Sequence, residues 1–234
     1  MTRPARWALL LAVTLTGCGA PAPPPTTGAD LVESSAVDTL LLGAAEIDAL
    51  MGAPMTAEEP VSVMNDNRTL LPNLDCLGVW QVAEAAVYGE AGPGSWRDIR
   101  RQMSREPDAD DWDDAAVQAV VRYDTAAAAR TFLARSATRW SECTNHRVNI
   151  TVNDRPLPRW RSGELEQTDT RLSIPFTRTK GGRTHSCRHV LAVRSNVVVD
   201  VQACKLQDSP ATQAADIATA IESRIDDAAS TAGG

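Results

Sequence analysis

The apolar positions of this chain change period along its length, and those changes mark out its elements. Near the C-terminus Ala214, Ile217, Ala218, Ile221 and Ile225 recur at helical spacing behind Ser209-Pro210, a capping residue followed by proline at the first helical position. In the middle, Ala129, Phe132, Leu133, Ser136 and Trp140 fall at i, i+3, i+4, i+7 and i+11 behind Asp124-Thr125, predicting a helix with one buried face. A third helix is expected within 40–52, where Leu42, Ile47, Leu50 and Met51 precede a closing Gly52. Elsewhere the period is two. "SWRDIRRQMSRE" and "DAAVQAVVRYD" read as strands, the second with Val117, Ala119, Val121 and Tyr123 on one side, and further strand patterns cover 146–153, 157–167, 171–179, 183–194 and 197–205. Strands adjacent in sequence and joined by short turns make an antiparallel sheet, so the expected class is α+β: a central antiparallel sheet flanked by helices.

The last strands carry enough turn chemistry to set a register. If Ser195-Asn196 is a two-residue hairpin turn, with Asn196 taking a positive φ, opposed residue numbers sum to 391. Gly181-Gly182 as the preceding turn gives a sum of 363. One sheet face then holds Leu172, Ile174, Phe176, Leu191, Val193 and Val198, and the other holds Val190, Ala192, Val197, Val199 and Val201. Apolar residues on both faces imply a sheet covered on both sides. Asp200 interrupts "NVVVDV" on the face of Leu191 and Val193. It reads as a structural carboxylate satisfied by backbone or by Arg188 or Arg194, with a ligand-binding role as the alternative.

The same register decides what "HSCRHVLAVRSNVVVDVQAC" is for. Cys187 and Cys204 sum to 391 and face each other in a non-hydrogen-bonded pair, with Cα atoms about 4.5 Å apart and within reach of a disulfide. With Cys18 set aside, elimination leaves Cys76 and Cys143 as the second bridge, tying a loop before "LGVW" to the end of the central helix. A metal site using His185, Cys187, His189 and Cys204 is the competing reading, and it lacks a Cys-x-x-Cys spacing. The acidic run "DADDWDD" (108–114) fails the EF-hand pattern, because its sixth and twelfth positions are Asp113 and Ala119. No Gly-x-Ser-x-Gly elbow, phosphate-binding loop or dinucleotide fingerprint occurs, and neither metal nor cofactor is expected.

The N-terminus changes the compartment. Arg3 and Arg6 precede an apolar run from Trp7 to Leu15, too short to span a bilayer and fitting a secretory signal over 1–17. Leu15-Thr16-Gly17-Cys18 resembles the bacterial lipobox, so Cys18 is the expected lipidation site and the chain is expected on the outer face of the cell membrane. Residues 18–36, rich in Pro, Ala and Thr, read as a disordered tether, 37–229 as the folded domain and 230–234 as a disordered tail. Loss of Arg3 and Arg6 with the signal takes the formal net charge from −7 to −9, which argues against nucleic acid as a partner.

Several stretches together carry a resemblance: "LLLGAAEIDALMGAPM", "CLGV" with "AVYG", "RYDTAAAARTFLARSATRWSEC", "SCRHVLAVRSNVVVDVQAC" and the Ala/Ile-rich closing helix. Over roughly residues 37–228 the chain resembles the PknH-like extracellular domain family, which comprises the sensor domain of a mycobacterial transmembrane serine/threonine kinase and many actinobacterial envelope lipoproteins. The resemblance implies an antiparallel α+β domain, two disulfides joining cysteines in sequence order, and a large cleft for an unidentified ligand. Cys76, Cys143, Cys187 and Cys204 match the family's cysteines. The expected function is a non-catalytic, lipid-anchored domain binding a small molecule or envelope lipid or glycan between sheet and helices. Trp140, Arg188, Arg194 and Asp200 are the candidate ligand residues. The alternatives are a hydrolase of envelope lipid or glycan, which needs converging catalytic groups, and an adhesin or protein-interaction module, which needs an exposed apolar patch.

Overall fold

A computed structural model describes residues 31–232 except 70, 72, 110, 150, 153, 154, 157 and 208. The predicted signal, Cys18 and the first part of the tether lie outside the described residues. The strands are β1 (Thr56–Ala57), β2 (Trp96–Glu106), β3 (Asp114–Tyr123), β4 (Arg147–Val148), β5 (Thr151–Val152), β6 (Arg155–Pro156), β7 (Arg159–Ser162), β8 (Glu166–Gln167), β9 (Arg171–Lys180), β10 (Arg183–Arg194) and β11 (Val197–Lys205). The helices are α1 (Ala44–Met51), α2 (Leu74–Trp80), α3 (Ala85–Tyr88), α4 (Ala126–Ser141) and α5 (Gln213–Ala232), preceded by a 3₁₀ turn at Ser34–Thr39. The main sheet is antiparallel in the order β1-β2-β3-β11-β10-β9-β7-β4, with β8 beside β9, while β5 and β6 pair separately.

Both turns expected from the sequence set the central register. Cys187 pairs with Cys204 and Arg194 with Val197 across one hairpin, and Phe176 pairs with Cys187 and Leu172 with Leu191 across the other. Gly181 and Gly182 take φ of 58° and 81°, which L side chains adopt only at a cost. In the other turn the positive φ falls on Ser195, at 53°, and not on Asn196. Asn196 is instead buried and works as a clamp. Its Oδ1 accepts from the Val32 N–H at 2.9 Å, and its Nδ2 donates to the carbonyls of Val32 (3.2 Å) and Tyr123 (2.8 Å).

The strands bury apolar side chains on both faces, so two cores form. On one face Leu172, Ile174, Phe176, Leu191, Val193 and Val198 pack with α2 and α4, including the expected Ala129, Phe132, Leu133 and Trp140. On the other, Val190, Ala192, Val197, Val199 and Val201 pack under α1 and α5. Both disulfides lie in the first of these cores. The Cys187–Cys204 disulfide has Cα atoms 4.0 Å apart, closer than the 4.5 Å expected, and Cys76–Cys143 spans 5.3 Å. A loop of 67 residues closed by the latter is worth about 4 kcal/mol on the chain-entropy account.

Several expectations need correction. The ordered chain starts ahead of residue 37, because Val32 is 1% exposed and pinned by Asn196. At the other end α5 runs on to Ala232 with Ala229 buried, so the tail does not begin at 230. That helix also starts at Gln213 rather than Ser209. Ala211 turns into the core, its carbonyl accepts from Arg188 Nε at 3.2 Å, and the Thr212 carbonyl accepts the first helical N–H groups. Cys76 lies in the first turn of α2 and not in a loop, since the Asn73 side chain caps that helix by accepting from the N–H groups of Asp75 (3.0 Å) and Cys76 (3.4 Å). The patterns at 146–153 and 157–167 break into the short pieces β4 to β8.

Replacing Asn196 with Ala leaves the Val32 N–H and the Tyr123 carbonyl unpaired in a buried setting, a cost of about 2–4 kcal/mol. Urea unfolding of the two forms should show that loss of stability, and a change below about 0.5 kcal/mol would rule out the clamp.

Candidate functional site

Two features are candidates, a buried polar network and an open cleft. The network centres on Asp200 of β11, which is 3% exposed. Its Oδ2 accepts from the Ala83 N–H (2.9 Å) and the Tyr88 hydroxyl (2.8 Å), and its Oδ1 lies 2.6 Å from His189 Nε2 on β10. His189 Nδ1 stands 2.8 Å from the Val79 carbonyl, an atom that can only accept, so Nδ1 carries a proton. The Nε2···Oδ1 contact then requires a second proton between two groups that would otherwise both be acceptors. The pair is thus a protonated unit, with the Trp140 ring tilted against the imidazole at 4.8 Å. Burial, and after it the Asp200 charge, holds the Tyr88 hydroxyl well above its ordinary range. Glu84, fully buried beside them, is raised chiefly by burial, with the N–H and side-chain amide of Asn67 opposing that shift.

This network is filled, not receptive. Both nitrogens of His189 are engaged, so neither can take a proton from a nucleophile, and the cavity beside Asp200, Tyr88 and Ser136 holds about 10 Å³, a water's worth.

The cleft is larger, about 370 Å³, within the size range of small-molecule sites. It opens where α5 stops covering the sheet. That helix packs chiefly on β10 and β11, touches β3, and meets β9 at its start, where Arg171 bonds Thr219 (3.2 Å) and Glu222. Thr177, Ser186, Arg161, Asn145, Gly163 and Pro175 line it, and Pro210, on the approach to α5, forms part of its wall. Gly163 is required by packing, because a Cβ there would sit 3.1 Å from Pro175 Cγ while its N–H donates to the Pro175 carbonyl at 2.8 Å. Ser162 is spent on structure, donating to the Cys143 carbonyl and accepting from the His146 N–H at 3.0 Å.

The four sequence candidates do not converge. Trp140 and Asp200 are buried on one face of the sheet. Arg188 and Arg194 project from the other, Arg188 bonded to Glu166 (2.8 Å) and Ser173 (2.7 Å), and Arg194 to Asp226 (2.7 Å). Asp200 is satisfied, but by His189, Tyr88 and backbone rather than by an arginine. Two of the four residues of the metal reading, Cys187 and Cys204, are joined to each other. The run 108–114 is tied into ion pairs, among them Asp108 with Arg105 (2.8 Å), Asp111 with Arg183 (3.4 Å) and Asp114 with Lys205 (2.5 Å). The cleft's residues were missed. Only the 363 sum, which sets Thr177 against Ser186, pointed at them.

Comparison with known proteins places this geometry. A family model described as the PknH-like extracellular domain matches residues 32–224. The chain belongs to the PknH-like extracellular domain family. It is 30% identical over 204 residues to the serine/threonine-protein kinase PknH of Mycobacterium bovis, covering 87% of this chain and 33% of that protein, and equally so to PknH of Mycobacterium tuberculosis, covering 31% of it. The chain thus spans about a third of these relatives. The crystal structure of the extracellular domain of PknH from M. tuberculosis superposes with a TM-score of 0.74 and 29% identity, covering 86% of this chain and all of that one. The domain is accordingly of an extracellular, sensor-like type. Among the described residues no helix is long and apolar enough to cross a membrane.

Two outcomes test this chemistry. Asp200→Ala leaves His189 Nε2, the Ala83 N–H and the Tyr88 hydroxyl without their partner in the core and should cost about 3–5 kcal/mol. Asp200→Asn can accept from Ala83 and donate to a neutral His189, so its cost should be markedly smaller, and chemical denaturation ranks the two. His185, buried against Trp112, is held below its ordinary range chiefly by burial, with Arg178 and Arg183 adding to it against the bond to the Trp112 carbonyl. The unfolded chain therefore takes up its proton first as pH falls below about 6.5, and stability drops from there down through the folded value. His185→Gln should flatten melting temperature against pH between 6.5 and 5.

Proposed function

We propose that this protein is a lipid-anchored, extracytoplasmic binding protein that takes up a small molecule in the cleft between β9, β7, β10 and the approach to α5, without catalysis. The single observation that carries this reading is the cleft itself, built on a sheet stapled by the adjacent Cys187–Cys204 bond. A rigid, stapled floor lowers the ordering cost of binding. The sequence at 15–18 supports attachment through Cys18, and membership in an extracellular family supports a position outside the cytoplasm. The filled state of the His189–Asp200 pair supports a role other than hydrolysis. The large exposed hydrophobic side chains among the described residues are three, Val63, Leu74 and Leu206, little apolar surface for an adhesive patch.

Native mass spectrometry of the membrane-extracted protein tests the reading. A small molecule should co-purify with the wild type and be lost from Thr177→Trp, which fills the cleft from an exposed strand position. Retention by that variant would move the ligand elsewhere. Cys18→Ser should shift the protein from the detergent phase to the aqueous phase, and unchanged partition would remove the anchor.

A further inference from the structure

The pairings of four strands line up one polar row across the cleft. Lys205 pairs with Ser186, Ser186 with Thr177, Thr177 with Arg161, and Arg161 with Arg147, so all five side chains rise from the same face. A second row sets Thr184 against Thr179 and Thr179 against Arg159. Directly opposed side chains on neighbouring strands have Cβ atoms about 5 Å apart, and like charges so placed repel. Arg147 and Arg161 are such a pair, with Arg159 two residues along the same face.

In this acidic chain most arginines at comparable positions are neutralised. Arg97 is paired with Asp124, Arg100 with Asp38, Arg122 with Asp98, Arg171 with Glu222, Arg188 with Glu166 and Arg194 with Asp226. Among the described residues Arg147, Arg159 and Arg161 have no carboxylate partner, and the hydroxyls of Thr177 and Ser186 make no side-chain hydrogen bond. Lys205 is committed to Asp114 and the Met51 carbonyl. Glu164, next to Gly163, is engaged by the Asn145 amide. What faces the cleft is therefore a set of unused donors, the Arg161 guanidinium continuing a line of two hydroxyls, with Arg147 opposite it on the next strand at the cleft's edge and, among the described residues, no carboxylate spent on either. From Ser186 to Arg147 the row crosses three strand spacings, about 14 Å.

We propose that the ligand of this cleft is an anion of the phosphate-ester class, its phosphoryl oxygens held by Arg161 and Arg147 and its neutral part by Thr177 and Ser186. Guanidinium suits phosphate because its planar fork donates two parallel hydrogen bonds. This rests on the cleft being the binding site. It goes further in naming the charge and chemistry of what binds, and in a chain of net negative charge a cluster of arginines without carboxylate partners is a favourable place for an anion.

Titration calorimetry of the detergent-solubilised full chain, at constant ionic strength set with chloride, tests it with inorganic phosphate and with glycerol 3-phosphate. Both should bind. Comparable affinities point to a free phosphorylated metabolite, and about tenfold tighter binding of the ester points to a phospholipid headgroup. Arg161→Gln should weaken both about tenfold and the Arg147→Gln/Arg161→Gln double variant should abolish binding, while Arg194→Gln, exposed on the same face and outside the cleft, should leave it unchanged. Equal weakening by Arg194→Gln would reduce the effect to general charge and overturn the proposal, as would phosphate binding no better than chloride. A neutral molecule recovered from the wild type but not from Thr177→Trp would overturn the anion class and leave the cleft standing as a site. Phosphate binding untouched by Thr177→Trp would remove the site itself.

Discussion

A buried carboxylate in the middle of an apolar strand is the constraint around which one side of this molecule is arranged. Asp200 costs several kcal/mol to desolvate unless every lone pair finds a donor. Three donors come from three places in the chain: His189 across the hairpin, the Ala83 N–H, and Tyr88 at the end of α3. Supplying the second of these fixes the backbone between α2 and α3, where Ala83 takes a φ of 53°, a conformation uncommon for a residue with a Cβ. Supplying the first orients His189 so that its other nitrogen reaches the Val79 carbonyl at the end of α2. The short segment 79–88 is thus wrapped on the sheet by polar geometry rather than by apolar area alone, and Cys76–Cys143 ties the same α2 to the end of α4.

The opposite core has a smaller polar element, Gln118 of β3, whose Oε1 accepts from the Leu42 N–H at 2.8 Å and whose Nε2 donates to the Leu42 carbonyl at 2.9 Å, and it is closed mainly by apolar packing. There α5 lays Ala214, Ile217, Ala218, Ile221 and Ile225 on the valines of β10 and β11, while ion pairs such as Arg224–Glu46 join it to α1 at the edges. Asn196 bridges the chain's beginning to the same hairpin. Non-directional burial tolerates repacking, whereas the Asp200 network tolerates few substitutions, so the two faces should respond differently to mutation even where burial is equal.

Much of this was legible in the sequence because its determinants are local. Two-residue turns fix a register by counting, and one register places the disulfide, both apolar faces and Asp200 at once. The α4 stripe was legible for the same reason, a strict 3.6 period behind a capping Thr125. The start of α5 was misplaced because a good local signal, Ser209-Pro210, lost to tertiary demand for Ala211 and its carbonyl. Helices α2 and α3 escaped notice because seven and four residues carry no usable periodicity, and α3 is set by the polar wrapping around Asp200. The donors of that carboxylate were misjudged for a related reason. Arginines near it in sequence project from the opposite face, while Ala83 and Tyr88, more than a hundred residues away, are delivered by the fold.

The cleft was the least legible feature, and the reason is topological. Strands β7 and β4 reach β9 through irregular chain that offers no counted turn, so the row Ser186, Thr177, Arg161, Arg147 exists only once the sheet is assembled. Its position follows from helix coverage. A single helix about as wide as two to three strands shields the centre of the sheet, and a sheet of this breadth leaves its far strands open on that side. An uncovered strand face would ordinarily carry mixed charges that neutralise one another. Here the β9 and β7 side chains facing the cleft include the Thr177 hydroxyl and Arg161, which has no carboxylate partner among the described residues, and repulsion between Arg147 and Arg161 opposes that arrangement. Folding physics accounts for the two covered cores and for the open edge. The composition of that edge is what the proposed anionic ligand would account for.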